Sequence, residues 1–339
     1  MNVGEYQAVT FVDLGLLAVG RLHTPYGSVL TQHTTPIKPV RVLLIHMYES
    51  VLIPTDGSDG TAAAVREGIE LAHRYGSTIH ALSVIELAYT EESVADAGVW
   101  ESVFETRKRE CEAAVVEVDA AVASAGHELS VTTAIRQGYP ATEIVAYADQ
   151  HDVDCIVMGT HGRTGMRRYL LGSVTSSVVR RATRPVVTVQ LTDPSVSASH
   201  NAILVATDGS AGSQPAVEGA IDLARHYNAT LHVLSVVETK FASRAPIRRA
   251  LETEANEAIT SVVEQTPATL DTETHCYTGV VHEAIAEAIE NNDIGMLVLG
   301  THGREGLDRL LLGSVAERMI RTAAIPVMIV PSPDVDPES

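Results

Sequence analysis

Lysine is almost missing from this chain: only Lys38, Lys108 and Lys240 stand among its 24 basic residues, against 43 aspartates and glutamates. The formal charge of −19 excludes an extended nucleic-acid surface, which needs basic side chains in series along a phosphate backbone. So acidic a surface repels itself in dilute buffer. Near 1 M salt the Debye length falls to about 3 Å and that repulsion is screened, so the composition points to a salt-rich, halophilic cytoplasm. Cysteine is scarce as well. Cys111, Cys155 and Cys276 are odd in number, far apart and free of CxxC spacing. Neither a disulfide framework nor a zinc site is expected from them, and they read as buried free thiols in a reducing compartment. No run approaches the roughly 18 apolar residues of a membrane span. The apolar stretch 9–20 contains Asp13 and is preceded by Glu5 without Lys or Arg, which is wrong for a signal peptide. Neither GxxxxGK[ST] nor GxGxxG occurs, which removes the P-loop and the dinucleotide fingerprint.

What the chain does have is a stretch written twice. Residues 159–174 read GTHGRTGMRRYLLGSV and residues 300–315 read GTHGREGLDRLLLGSV. Each follows an apolar, strand-like run ending in Met158 or Leu299 and leads into a helix-like segment opening with Gly-Ser. Glycines at a strand end let backbone amides turn outward without a Cβ clash. A Gly-Ser helix start offers amides, a hydroxyl and the positive end of the helix dipole to an anion. The pattern reads as a phosphate cradle, and it occurs twice.

The text around the two cradles repeats in the same order. Val- and Ile-rich runs alternate with helical patterns, the arrangement of a parallel sheet covered on both faces. Strands are expected over 51–55, 78–85, 128–136, 155–158 and 185–189, then over 202–207, 230–237, 271–277, 295–299 and 326–330. Helices are expected between them, the fifth over 211–227. Asp56 maps to Asp208 and Val84 to Val236 by 152 residues, whereas Gly159 maps to Gly300 and Gly172 to Gly313 by 141. The first repeat therefore carries eleven additional residues, placed within 86–100, where they form a lid or a longer helix entry. Domain boundaries follow: an extension over 1–46 with Met47 as the natural start, repeat one over 47–191, a polar linker over 192–200, repeat two over 201–331, and a disordered tail over 332–339.

The Gly-x-x-Gly, nine residues, Gly-Ser motif at Gly159, Gly162, Gly172 and Ser173 recurs at Gly300, Gly303, Gly313 and Ser314. Together with the strand ends Pro54-Thr55-Asp56 and Ala206-Thr207-Asp208, it resembles the universal stress protein family in its tandem, nucleotide-binding form. The resemblance spans residues 47 to about 330. It implies two Rossmann-like α/β domains of the adenine nucleotide alpha hydrolase-like kind, each a five-stranded parallel sheet of order 3-2-1-4-5. It implies ATP, with or without Mg2+, at the carboxyl ends of strands one and four. In that arrangement Asp56 and Asp208 accept hydrogen bonds from ribose, and Val84 and Val236 line the adenine slot. The amides around the glycines, and around Val174 and Val315, hold phosphates. Thr175 faces Ala316 in the other copy, so site two loses a hydroxyl donor worth about 0.5–1.5 kcal/mol and is expected to bind more weakly.

Several residues invite simpler readings. Asp before Gly is a common turn former. His161 and His302 lack a nucleophile or carboxylate at a useful spacing and read as loop-structuring residues. His80 and His232 read as satisfied sheet histidines, and Cys155 as core. Arg163, Arg168, Arg304 and Arg309 suit either phosphate steering or a solvated loop. No catalytic residue and no metal ligand set is assigned. The functional expectation is adenine nucleotide binding in a stress or regulatory role. A slow Mg2+-dependent ATP hydrolase and a non-nucleotide adaptor are the alternatives, and a flavin carrier ranks below both. The two repeats are expected to form a pseudo-twofold pair docked through their fifth strands, as a monomer or a homodimer of tandems.

Overall fold

A computed structural model describes residues 48–86, 97–160, 171–190, 200–240, 245–301 and 312–332. The first repeat runs β1 (Ser50–Pro54), α1 (Asp59–Tyr75), β2 (Thr78–Glu86), α2 (Ala97–Ala125), β3 (Val131–Gly138), α3 (Pro140–Gln150), β4 (Cys155–Gly159), α4 (Ser173–Arg181) and β5 (Val186–Val189). The second runs β6 (Ala202–Ala206), α5 (Gln214–Tyr227), β7 (Thr230–Glu238), α6 (Ala245–Gln265), β8 (Thr272–Gly279), α7 (Val281–Asn291), β9 (Met296–Gly300), α8 (Ser314–Thr322) and β10 (Val327–Val330). The extension over 1–46, most of the expected lid and of the linker, and nearly all of the tail lie outside the described residues.

Strand alternation decides the layers. Val51 and Ile53 of β1 point into one core with Ala63 and Ile69 of α1 and Val115 and Val118 of α2, while Leu52 between them points into the other with Ile144 of α3 and Val178 of α4. The second repeat divides in the same way, with Val217 and Ile259 on the first side and Ile285 and Met319 on the second. Strands apolar on both faces are what a parallel sheet between two helical layers requires.

Each repeat has the order 3-2-1-4-5, as expected. The two are not separate sheets, however: β5 pairs with β10 antiparallel, giving one ten-stranded sheet β3-β2-β1-β4-β5-β10-β9-β6-β7-β8. The expected docking through the fifth strands is thus a hydrogen-bonded ladder, with Val187 level with Met328. Side chains reinforce the seam. Thr188 Oγ1 donates to Val327 O at 3.1 Å and Tyr48 hydroxyl to Met328 Sδ at 3.6 Å. Beside it, Tyr75 donates to Asp222 at 2.7 Å and His200 Nε2 lies 2.9 Å from Glu67 Oε1.

Most expected boundaries shift by one or two residues, and two starts move by three. The third strand begins at Val131 rather than 128, because its ladder starts where Ile79 of β2 stands opposite. Helix α5 begins at Gln214 rather than 211, which leaves Pro215 in its first turn, the one place where the missing N–H costs nothing.

Candidate functional site

The turn after β1 is assembled from its own hydroxyls and carboxylate. Thr55 donates its amide to Leu82 O at 2.8 Å, and its Oγ1 accepts from Gly57 N–H at 3.1 Å and lies 3.2 Å from Thr61 Oγ1. Asp56 Oδ1 accepts from Ser58 N–H at 3.0 Å and from the Ser58 hydroxyl, closing an Asx turn. Gly57 takes φ +72°, and a Cβ there would stand 3.2 Å from Ala114 Cβ of α2. Only glycine meets both demands.

The second repeat reproduces this bond for bond. Thr207 N–H reaches Leu234 O at 2.9 Å, Gly209 N–H reaches Thr207 Oγ1 at 3.1 Å, and Asp208 Oδ1 accepts from Ser210 N–H at 3.0 Å. Ser213 replaces Thr61 and keeps the hydroxyl contact at 2.8 Å. Thr55 and Thr207 are buried, so they build the loop, while Asp56 and Asp208 are half-buried at its rim.

Register brings the other candidates to the same edge. Pro54 is level with Leu82 and Leu52 with Ile156. Continuing the two ladders sets Asp56 level with half-buried Val84 on one side and with Thr160, just past the Met158–Gly159 strand end, on the other. In repeat two, Ala206 is level with Leu234 and Val205 with Val298, which sets Asp208 level with Val236 and with Thr301, just past the Leu299–Gly300 end. Both clusters lie at the carboxyl ends of their strands, where ligands of open α/β sheets bind.

The glycine loops close onto this edge. Gly172 N–H donates to Thr160 O at 2.8 Å and Gly313 N–H to Thr301 O at 2.9 Å, clipping each helix start to the strand end behind it. A Cβ on Gly172 would stand 2.8 Å from Thr160 O, so no larger residue fits. Helices α4 and α8 begin at Gly172 and Gly313 without a side-chain cap, and Ser173 and Ser314 are exposed at their first positions, with Val174 and Val315 half-buried behind them. Uncapped first-turn amides at the positive end of a helix are suited to an anion. Gly162, Gly303, His161, His302 and the four loop arginines lie outside the described residues.

Thr175 does not do what its position suggested. Its hydroxyl donates to Gly159 O at 2.7 Å and is buried. The proton is committed to the main chain, so Thr175 braces β4 against α4 instead of facing a phosphate, and its replacement by Ala316 removes a brace, not a donor.

The remaining candidates sort by burial. Burial pushes the Cys155 thiol far up, as for a core residue. Cys111 is buried too, but Cys276 is exposed, against the expectation of three buried thiols; it stands on β8, the outermost strand, with no strand beyond it. His80 Nδ1 lies 3.0 Å from Tyr147 hydroxyl, a satisfied sheet histidine. His232 Nδ1 lies 3.0 Å from His275 Nε2 and 3.8 Å from Glu273 Oε2. Burial lowers the pKa of both His80 and His232, with Glu273 opposing it at His232. The grouping of His232, Glu273 and His275 was not visible in the sequence, where 43 residues separate the histidines. The one trace is Glu-x-His at 273–275, alternate positions that share a strand face.

Comparison with known proteins gives a consistent picture. The sequence profile described as the universal stress protein family matches residues 47–190 and 200–331. A universal stress protein of Methanocaldococcus jannaschii, MJ0531, is 35% identical over 145 residues, 43% of this chain and 84% of that one. Universal stress protein Rv2005c of Mycobacterium tuberculosis is 30% identical over 241 residues, 68% of this chain and 78% of that one. A universal stress protein structure from Archaeoglobus fulgidus superposes with a TM-score of 0.63 at 24% identity, covering 84% of this chain and 99% of that one, a likeness of fold. Among the described residues no helix is long and apolar enough to cross a membrane.

Proposed function

Because the chain belongs to the universal stress protein family, with both repeats matched, we propose that it binds two adenine nucleotides, one per repeat, and acts as a nucleotide-dependent regulator. One observation carries the reading. In each half an aspartate-closed turn, a half-buried valine and an uncapped Gly-Ser helix start converge on one edge of the sheet, built by matching hydrogen bonds. A single such edge is an ordinary consequence of the fold, whereas its detailed duplication is expected if both copies hold the same ligand.

In this reading Asp56 and Asp208 accept from the ribose hydroxyls, with Pro54, Thr55, Ala206 and Thr207 holding the turn. Val84 with Met158, and Val236 with Leu299, flank the base. Gly159, Gly162, Gly172 and Ser173 present amides and a hydroxyl to the phosphates, and Gly300, Gly303, Gly313 and Ser314 do the same in repeat two. Where Mg2+ accompanies ATP it neutralises phosphate charge; binding and orientation fall to these residues. The role assigned is binding, without a committed chemical step, in a salt-rich cytoplasm that suits the charge of −19.

The test is nucleotide content. The full chain is purified in high salt, denatured, and the released compounds are identified by chromatography. ATP or ADP near two per chain supports the reading, and the ATP-to-ADP ratio over hours separates binding from slow hydrolysis. A folded protein that is empty and takes up no ATP with Mg2+ moves the function to a non-nucleotide adaptor.

A further inference from the structure

We propose that the second repeat binds a divalent cation of the zinc class at the outer edge of the sheet, through His232 Nδ1, His275 Nε2 and a carboxylate oxygen of Glu273. The three ligand atoms lie within 4.8 Å of one another. Zinc bonds to nitrogen and oxygen of about 2.0–2.2 Å put ligand atoms of a tetrahedral site roughly 3.3 Å apart. The two contacts of His232 Nδ1, 3.0 Å to His275 Nε2 and 3.8 Å to Glu273 Oε2, bracket that spacing. Two imidazoles and one carboxylate suit zinc, and copper or nickel behind it, whereas Mg2+ and Ca2+ call for oxygen alone.

Topology explains how the three meet. His232 on β7 is level with Glu273 on β8 and Leu234 with His275, so the two β8 residues stand on the same sheet face as His232. Because β8 is the outermost strand and Glu273 is exposed while His232 is buried, an ion can enter from the open edge, with solvent available for a fourth position.

The fold does not require this cluster. Thr132 and Ala134 stand in the same register places of the first repeat, and there His80 turns to Tyr147 on α3 instead. The counterpart of Tyr147 in the second repeat is Ala288. The trio is therefore an addition confined to one repeat. His232 is four residues before Val236, about 13 Å along the strand at 3.3 Å per residue, so it stands apart from the nucleotide edge.

The experiment uses the full chain, stripped with chelator and free of nucleotide, because ATP itself binds metals. Zn2+ is titrated by calorimetry, and Co2+ by its visible absorption, into the wild type, His275→Ala, Glu273→Ala and, as a first-repeat control, His80→Ala. Glu273 is exposed, so its variant tests the site without burdening the fold, and thermal unfolding checks each protein. One tight equivalent of Zn2+ in the wild type and in His80→Ala is expected. A fall of at least about 100-fold is expected in the other two, since loss of a mere outer-shell partner costs 10–100-fold. No uptake by the folded wild type, unchanged affinity in His275→Ala, or loss in His275→Ala but not in Glu273→Ala each overturns the three-ligand assignment.

Discussion

Gly172→Ala tests the cradle where sterics are tightest. The backbone of Gly172 is an ordinary helix entry, φ −57° and ψ 143°, so alanine carries no conformational penalty there. The penalty is contact. The new Cβ would lie 2.8 Å from Thr160 O, against an ordinary limit near 3.4 Å, and that oxygen is main-chain and already accepts Gly172 N–H at 2.8 Å. A flexible side chain would swing away; here the helix start must instead back off by several tenths of an ångström. Overpacking of this kind costs about 1–3 kcal/mol. If the strain is relieved by moving α4 away from the phosphate position, the same energy appears as a loss of affinity of about 5- to 150-fold. Repeat two serves as the internal control. Titrating the full chain with ATP and Mg2+ should show two equivalents in the wild type, and in the variant one unchanged equivalent plus one weakened by that factor. Urea unfolding monitors the fold. Two unchanged equivalents in a folded variant would refute the link between the Gly172 clip and binding.

Three further outcomes are expected. His200→Ala leaves the Glu67 carboxyl, 7% exposed, without its imidazole hydrogen-bond partner, and unfolding should show a loss of about 1–3 kcal/mol, while Glu67→Leu with His200→Leu should lie nearer the wild type; equal losses in the two would sink this account. Tyr75→Phe removes a bond to the Asp222 carboxylate and should cost about 1.5–3 kcal/mol. Its pseudo-symmetric counterpart Tyr227→Phe should be neutral or stabilising, because Tyr227 hydroxyl is buried without a partner; the reverse order contradicts the geometry. Burial, with His151 adding to it, lowers the His80 pKa below 6.5. The unfolded chain therefore binds the proton better, so His80 contributes stability above pH 6.5 that is lost as pH falls through the folded value. His80→Gln should flatten the fall in urea midpoint below pH 6.5, and a steeper fall in the variant would show the opposite linkage.

Much of this was legible in the chain because the repeats annotate each other. A spacing of 152 at Asp56/Asp208 and 141 at Gly159/Gly300 located both edges, and apolar alternation located the layers. Features that depend on neighbours distant in sequence were not legible. Thr175 stands beside the glycine motif, and only the path of β4 shows that its hydroxyl turns inward to Gly159 O. Cys276 resembles its two buried companions until β8 proves to be an outer strand. His232 and His275 meet because two strands pair in one register, and a slip of one residue would send His275 to the opposite face. The start of β3 was set by where β2 offers a partner, which no local propensity encodes.

The seam between repeats also fixes how the two cradles stand to each other. All strands within a repeat are parallel, and β5 meets β10 antiparallel, so the carboxyl edges of the two halves face opposite ways. The two sets of phosphates would lie on opposite edges of one sheet, at least a strand length apart. Strands of four to five residues span about 15 Å, beyond the Debye length of about 8 Å at physiological salt and far beyond that near 1 M. Direct charge coupling between the ligands is thus largely screened, and communication would pass chiefly through packed elements. Among the described residues, one such path runs along α8. Helix α8 begins at the second cradle, and near its other end Ile320 O accepts from Gln190 Nε2 at 3.1 Å. Gln190 directly follows Val189, which is level with Gly159 at the first cradle. A ligand that slides α8 along its axis pulls on this route; one that merely docks against the amides does not, and two independent binding events follow.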